Sequence, residues 1–299
     1  MEAVLSINGL SKKYGSIQAL NRLSLDIPSG SIYGILGPNG SGKTTTLATV
    51  LNVLKATEGS YQWFGGAFSF SAKRRVGAIL ETPNFYPYLS AYKNLEIVAK
   101  IKEIKDPDYE GVLQLVDLKE RAKSKFKSYS LGMKQRLAIA SALLCKPEVL
   151  VLDEPTNGLD PQGIAEVRQM ILDIAKQGIT IIIASHLLVE VEKVCTHVAV
   201  IKKGNLLYAG LVEGLTRDTG FIELNASDQV KLESALKKID EVEEINRDGY
   251  LFRVSGTTAL TAELLNRKLA EHGVYLNHLE QKKTNLETQF LELINQKAS

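Results

Sequence analysis

The residues Gly37-Pro38-Asn39-Gly40-Ser41-Gly42-Lys43-Thr44 read G-x-x-x-x-G-K-T, and no other stretch constrains the fold of this chain so tightly. Glycines let successive backbone N–H groups turn inward with no Cβ in the way, which makes a nest for oxyanions. Such a loop needs a strand to deliver the chain and a helix to carry it away. Both flank it here: Ser31 to Leu36 is a short apolar strand, and Thr44 to Leu54 can continue as a helix. In that setting Lys43 would neutralise the β and γ oxygens of a nucleoside triphosphate and Thr44 would offer its hydroxyl to Mg²⁺. Thr45 belongs to the same cradle, and the helix dipole would point its positive end at the phosphates.

Composition narrows the class. The chain has 299 residues and is 44% hydrophobic, enough for a folded protein of one large domain or two moderate ones. A net charge of +2 gives no nucleic-acid footprint, and the neighbourhood of Lys125-Phe126-Lys127 reads as a solvated face. Cys145 and Cys195 lie far apart and suggest two reduced thiols in an intracellular setting. The start lacks the pattern of a signal peptide, and apolar runs such as Ile179 to Ala184 are too short to span a bilayer.

Residues 1–214 alternate short β-branched or Leu-rich runs with helical stretches, the pattern of an α/β domain with a mainly parallel sheet. Its expected strands are Ser31 to Leu36, Val76 to Leu80, Val149 to Leu152 and Thr180 to Ala184. Val198 to Lys202 and Leu206 to Ala209 follow as a hairpin. Residues of about 83–130 change to helical spacing, with Leu95, Val98 and Ile101 on one packing face of a helical insertion. Residues 215–299 predict a smaller α+β domain whose order, β-α-β-β-α-β, is the ferredoxin-like split motif, closed by a helix from Asn285 to Asn295. That domain carries eleven Lys and Arg against fourteen Asp and Glu, so it offers no obvious anion site.

Two more strands end in chemistry. Val149 to Leu152 runs into Asp153 and Glu154, placing both carboxylates at the sheet edge where ligands bind in open α/β folds. Asp153 would hold Mg²⁺, and Glu154 could accept a proton from an attacking water or position it. Thr180 to Ser185 delivers His186 to the same edge, where it could donate a hydrogen bond to the γ-phosphate. His197, His272 and His278 have no such placement and read as structural. Ser130-Leu131-Gly132-Met133-Lys134-Gln135-Arg136 opens an amphipathic helix with Ser130 as N-cap.

The phosphate loop, the Ser-x-Gly helix start, the Asp-Glu strand and the strand-end His, in this order, resemble the ATP-binding-cassette family. The resemblance covers Val4 to Gly214. It implies ATP and Mg²⁺ as cofactors, with Tyr14 stacking on adenine and Gly158-Leu159-Asp160 as a dimer-contact loop. It also implies two cassettes facing head to tail, so that Ser130 and Gly132 meet the γ-phosphate held by the partner's Lys43. Two departures stand out. The usual Leu-Ser-Gly-Gly-Gln is Tyr129-Ser130-Leu131-Gly132-Met133 here, and Glu81 stands where a metal-touching Gln is usual. Both are similar to the ATPase subunits of bacterial exporters of the bacitracin-resistance and lantibiotic-immunity type. The ending Thr284 to Leu293 resembles theirs as well. The resemblance therefore implies an ATP-hydrolysing subunit, peripheral on the cytoplasmic face of the membrane, paired with a second cassette and a separate multispanning permease. No nucleic-acid partner is expected. The rival, a soluble cassette acting on ribosomes or DNA, usually carries two cassettes or a long coiled-coil insertion, and neither is present. A kinase or GTPase needs neither the Ser130 helix nor the His186 strand.

Overall fold

The computed structural model describes residues 2–80, 84–216, 220–257, 259–282 and 290. It divides into two compact units, Met1–Leu211 and Val212–Ser299.

The first unit holds two sheets. Strands β1 (Ala3–Tyr14), β2 (Ile17–Pro28) and, after β3 (Ile32–Leu36) and helix α1 (Lys43–Val50), β4 (Glu58–Trp63) form an antiparallel sheet in the order β2-β1-β4. Helix α2 (Phe70–Arg74) leads into β5 (Val76–Ile79). The helical stretch follows as α3 (Ala91–Ile101), α4 (Tyr109–Leu115) and α5 (Leu131–Leu143). Then come β6 (Val149–Asp153), α6 (Pro161–Ala175), β7 (Thr180–Ser185), α7 (Leu188–Val194), β8 (His197–Lys202) and β9 (Asn205–Leu211). The second sheet runs β5-β6-β7-β3-β8-β9, parallel except for β9, which pairs antiparallel with β8. Every residue of β3, β6 and β7 is buried, as expected of central parallel strands covered on both faces.

Two features differ from the sequence reading. The antiparallel sheet was not anticipated, because β1 slips register against β2 between Ile7 and Leu10 and again near Lys12, which breaks the period-2 pattern. Helix α1 also stops at Val50 instead of reaching Leu54. Asn52 takes a left-handed φ of 58° and the N–H groups of Val53 and Leu54 turn back to Ala48 O, an asparagine C-cap. Trp63 then locks the helix end, donating its indole N–H to Val50 O at 2.8 Å.

The second unit opens with α8 (Val212–Thr216) and continues β10 (Phe221–Ala226), α9 (Gln229–Leu236), β11 (Val242–Asp248), β12 (Leu251–Gly256), α10 (Ala262–Glu271) and β13 (Leu276–Lys282). Its sheet is antiparallel in the order β11-β12-β10-β13, the arrangement of the split β-α-β-β-α-β motif. Ile222, Leu224, Phe252 and Val254 pack there with Leu232, Leu236, Leu265 and Leu269 of the helices. The helix expected over 285–295 lies outside the described residues apart from position 290.

Candidate nucleotide site

Strands β6, β7 and β3 are neighbours, and their register aligns their C-terminal ends, with Asp153 opposite Ala184 and Leu36 opposite Ser185. The phosphate loop, both carboxylates and His186 therefore leave the sheet at one edge.

The glycines of the loop are required by what surrounds them. A Cβ on Gly37 would lie 2.2 Å from Ile201 O, and one on Gly42, whose φ is 111°, would lie 2.7 Å from Ala19 O. No other residue fits either position without moving backbone. Pro38, Asn39 and Gly40 are exposed, while Ser41 is buried and its carbonyl accepts from Gly204 N at 2.8 Å. The β8–β9 turn thus fastens the loop from below, a role sequence reading missed. Its only local signal was the turn sequence Lys203-Gly204-Asn205.

Lys43 is 5% exposed. Its ammonium donates to Gly37 O at 2.8 Å and stands 3.3 Å from Glu154 Oε1. The other oxygen, Glu154 Oε2, lies 2.8 Å from His186 Nδ1 and also accepts from His186 N at 3.4 Å. Glu154 reaches both partners because its backbone is left-handed, with φ 48°, while its N–H donates to Ala184 O at 2.9 Å. A non-glycine residue in that region costs about 1 kcal/mol, and such strain gathers at sites where geometry is over-determined. The structure therefore brings Lys43, Glu154 and His186 together, with Asp153, 4% exposed, on the adjoining strand end. Thr44 is exposed and Thr45 half-buried at the start of α1. A carboxylate braced by an ammonium and an imidazole can hold or accept a proton at the mouth of an anion nest.

Ser130, Gly132 and Asp160 come together elsewhere. With Gly158 and Leu159 they line a groove of about 470 Å³ whose walls include no residue of the phosphate loop. Ser130 Oγ caps α5, accepting from Met133 N at 3.2 Å, and Asp160 Oδ1 caps α6, accepting from Gly163 N at 2.9 Å. Tyr14 ends β1 with its ring half exposed and the Lys12 ammonium 5.1 Å from its centroid. Glu81 lies outside the described residues.

The remaining titratable candidates have other partners. His197 stacks on Tyr33 at 6.0 Å, and His272 Nδ1 lies 2.8 Å from Lys268 O. His278, Glu223 and Glu280 converge in the second unit, but the Lys282 ammonium already pairs with Glu223 and reaches Glu280 at 3.7 Å. Burial pushes the Cys195 thiol up to about 12, and neither cysteine is bonded to the other.

An anion nest at the C-terminal edge of a mainly parallel sheet, backed by a lysine and strand-end carboxylates, defines a phosphate-loop nucleotide-binding protein. Residues 20–157 match the family model described as "ABC transporter". The bacitracin transport ATP-binding protein BcrA of Bacillus licheniformis is 40% identical over 98% of this chain and 98% of its own length. The lantibiotic transport ATP-binding protein SrtF of Streptococcus pyogenes is 40% identical over 68% of this chain and 89% of that protein. The ATP-binding cassette MJ0796, solved as a dimer in a post-hydrolysis state bound to ADP and Pi, shares 25% identity and a TM-score of 0.61. That match covers 69% of this chain and 98% of the other. This chain belongs to the ATP-binding proteins of ABC transporters and is an ABC-type ATPase. No described helix is long and apolar enough to cross a membrane.

Proposed function

We propose that this chain powers an exporter of the kind its bacitracin and lantibiotic transport relatives serve, as a head-to-tail dimer working with a separate multispanning permease at the inner membrane face. The observation that carries the dimer is the separation of two half-sites. The phosphate loop with Glu154 and His186 makes one, and the groove of Ser130, Gly132 and Asp160, lined by none of them, makes the other. In a sandwich each groove would close on the triphosphate held by the other copy, with the N-terminus of α5 directed at the γ-phosphate.

Within one half-site, Lys43 has Glu154 as its counter-charge. The β and γ oxygens of ATP compete for the same ammonium and win by charge, which releases Glu154 Oε1 to orient the attacking water. His186 keeps its hold on Oε2 and fixes the carboxylate's direction. The Thr44 hydroxyl and Asp153 carboxylate are the hard oxygen donors that Mg²⁺ prefers, and Glu81 is a third candidate. When bound, Mg²⁺ would neutralise phosphate charge; Tyr14 would stack on adenine.

Substituting Glu154→Gln tests this reading. ATP binding should persist, turnover should fall roughly 10²- to 10⁴-fold, and ATP should shift the protein from monomer to dimer on gel filtration. Full turnover in that variant would exclude Glu154 as the hydrolytic carboxylate.

A further inference from the structure

The helical part of the first unit carries a charge pattern that the nucleotide site does not use. Between residues 119 and 127 every second position is basic, Lys119, Arg121, Lys123, Lys125 and Lys127, with only Glu120 against them. The chain as a whole is only +2, so a local excess of four positive charges is a concentration of charge. All five are exposed. Lys119 approaches Glu110 at 3.8 Å; among the described residues Lys123, Lys125 and Lys127 have no carboxylate within ion-pair distance.

The backbone holds this run in place. This run pairs with the segment before α3: Phe126 N donates to Leu89 O and Lys127 N to Pro87 O, both at 2.8 Å, and Tyr92 N donates to Ala122 O at 3.1 Å. Ser90 and Lys125 form an antiparallel bridge. Short 3-10 turns at Lys119–Arg121 and Phe126–Ser128 flank that bridge, so the run is pinned by its neighbours as a string of turns. Phe126 is buried there, edge-on to Phe85 at 5.2 Å, while the lysines on either side of it are exposed. The paired segment adds tyrosines to the same region. Tyr86 and Tyr88 lie 6.0 Å apart and are 49% and 62% exposed, and Tyr92, 36% exposed, packs 4.9 Å from Tyr109.

We propose that this face binds an anionic bilayer surface directly, with the lysines on lipid phosphates and the tyrosine rings at headgroup depth. Tyrosine has an apolar body and a polar tip, which suits it to the membrane interface, and each cation near an anionic leaflet adds to the attraction. The cations are spread over successive turns and line none of the described grooves, which fits a smeared surface charge better than a single anion. The ABC family works at a bilayer, so the surface is close at hand. The contact goes beyond the proposed function, because it needs no permease and no nucleotide.

The test is sedimentation of the full chain with protein-free vesicles of phosphatidylcholine, with and without about 30 mol% phosphatidylglycerol, at low salt and at about 0.3 M. The protein should bind only the anionic vesicles and less at high salt. The triple variant Lys123→Gln, Lys125→Gln, Lys127→Gln should bind roughly a hundredfold more weakly while hydrolysing ATP as the parent does. A Tyr88→Trp reporter should shift its emission to the blue on anionic vesicles; the native Trp63, 1% exposed, should not respond. Equal binding to neutral vesicles, undiminished binding by the triple variant, or preference for single-stranded RNA in competition would overturn the proposal. ATPase activity measured on the same preparations separates failure of this contact from failure of the nucleotide-site reading.

Discussion

Glu154 in the first unit and Glu223 in the second are both carboxylates with two basic partners, yet the fold uses them in opposite ways. Glu223 lies in the middle of a strand, 2% exposed, with Arg253 Nε at 3.0 Å from Oε1 and the Lys282 ammonium on Oε2. Its partners come from the flanking strands β12 and β13, registered directly or two residues away, so the charges close a sheet. Glu154 lies past a strand end, on a strained left-handed backbone, with its lysine at a longer 3.3 Å and an imidazole at 2.8 Å. A mid-strand carboxylate is satisfied and stabilises; a strand-end carboxylate at the mouth of an anion nest is, on the proposed function, held in place for exchange. Position relative to the sheet edge decides between the two, since the chemistry of the groups is alike.

Paired substitutions should separate the two roles. The largest effect belongs to the first unit, where Lys43→Ala should weaken ATP binding more than tenfold by equilibrium titration while leaving the thermal midpoint nearly unchanged. Glu223→Gln should do the reverse, leaving ATP hydrolysis intact and lowering the melting midpoint of the second unit by roughly 5 °C, followed by far-UV circular dichroism. A change in activity with no change in stability for Glu223→Gln would break the comparison.

A smaller effect concerns acid. Lys282, helped by Arg253, holds the Glu223 carboxyl below its ordinary value of 4.5. A lowered folded-state value means that this stabilisation is complete above the ordinary value and is lost as pH falls through the lowered one. The second unit should therefore lose stability below about pH 4.5, and Glu223→Gln should flatten that dependence. Trp63, the single tryptophan, lies in the first unit and gives an independent reading of its stability by fluorescence in the same titration.

Much of the geometry of the candidate nucleotide site was legible because its parts are local. The octet sets its own glycine geometry, and three buried strands each announce a polar residue at their ends. The pairings between those parts were not legible. Lys43 meets Glu154 only because β3 and β6 flank β7, and no local pattern encodes a strand order. The left-handed turn at Glu154 was hidden too, because glutamate carries no signal for positive φ. Gly204 reads as an ordinary hairpin glycine, though its N–H holds Ser41 O. In the second unit the element order was readable, and the burial of Glu223 was not, since a charged residue in a strand normally marks the solvated face.

The central claim is that one copy's phosphate loop works with the other copy's Ser130 groove. Two inactive variants, Lys43→Ala and Ser130→Glu, test it by mixing. In a head-to-tail dimer a mixed pair carries both lesions in one site and leaves the other intact, so the mixture should recover about a quarter of parental ATPase activity. No recovery on mixing, with both variants folded and able to dimerise, would contradict the composite site.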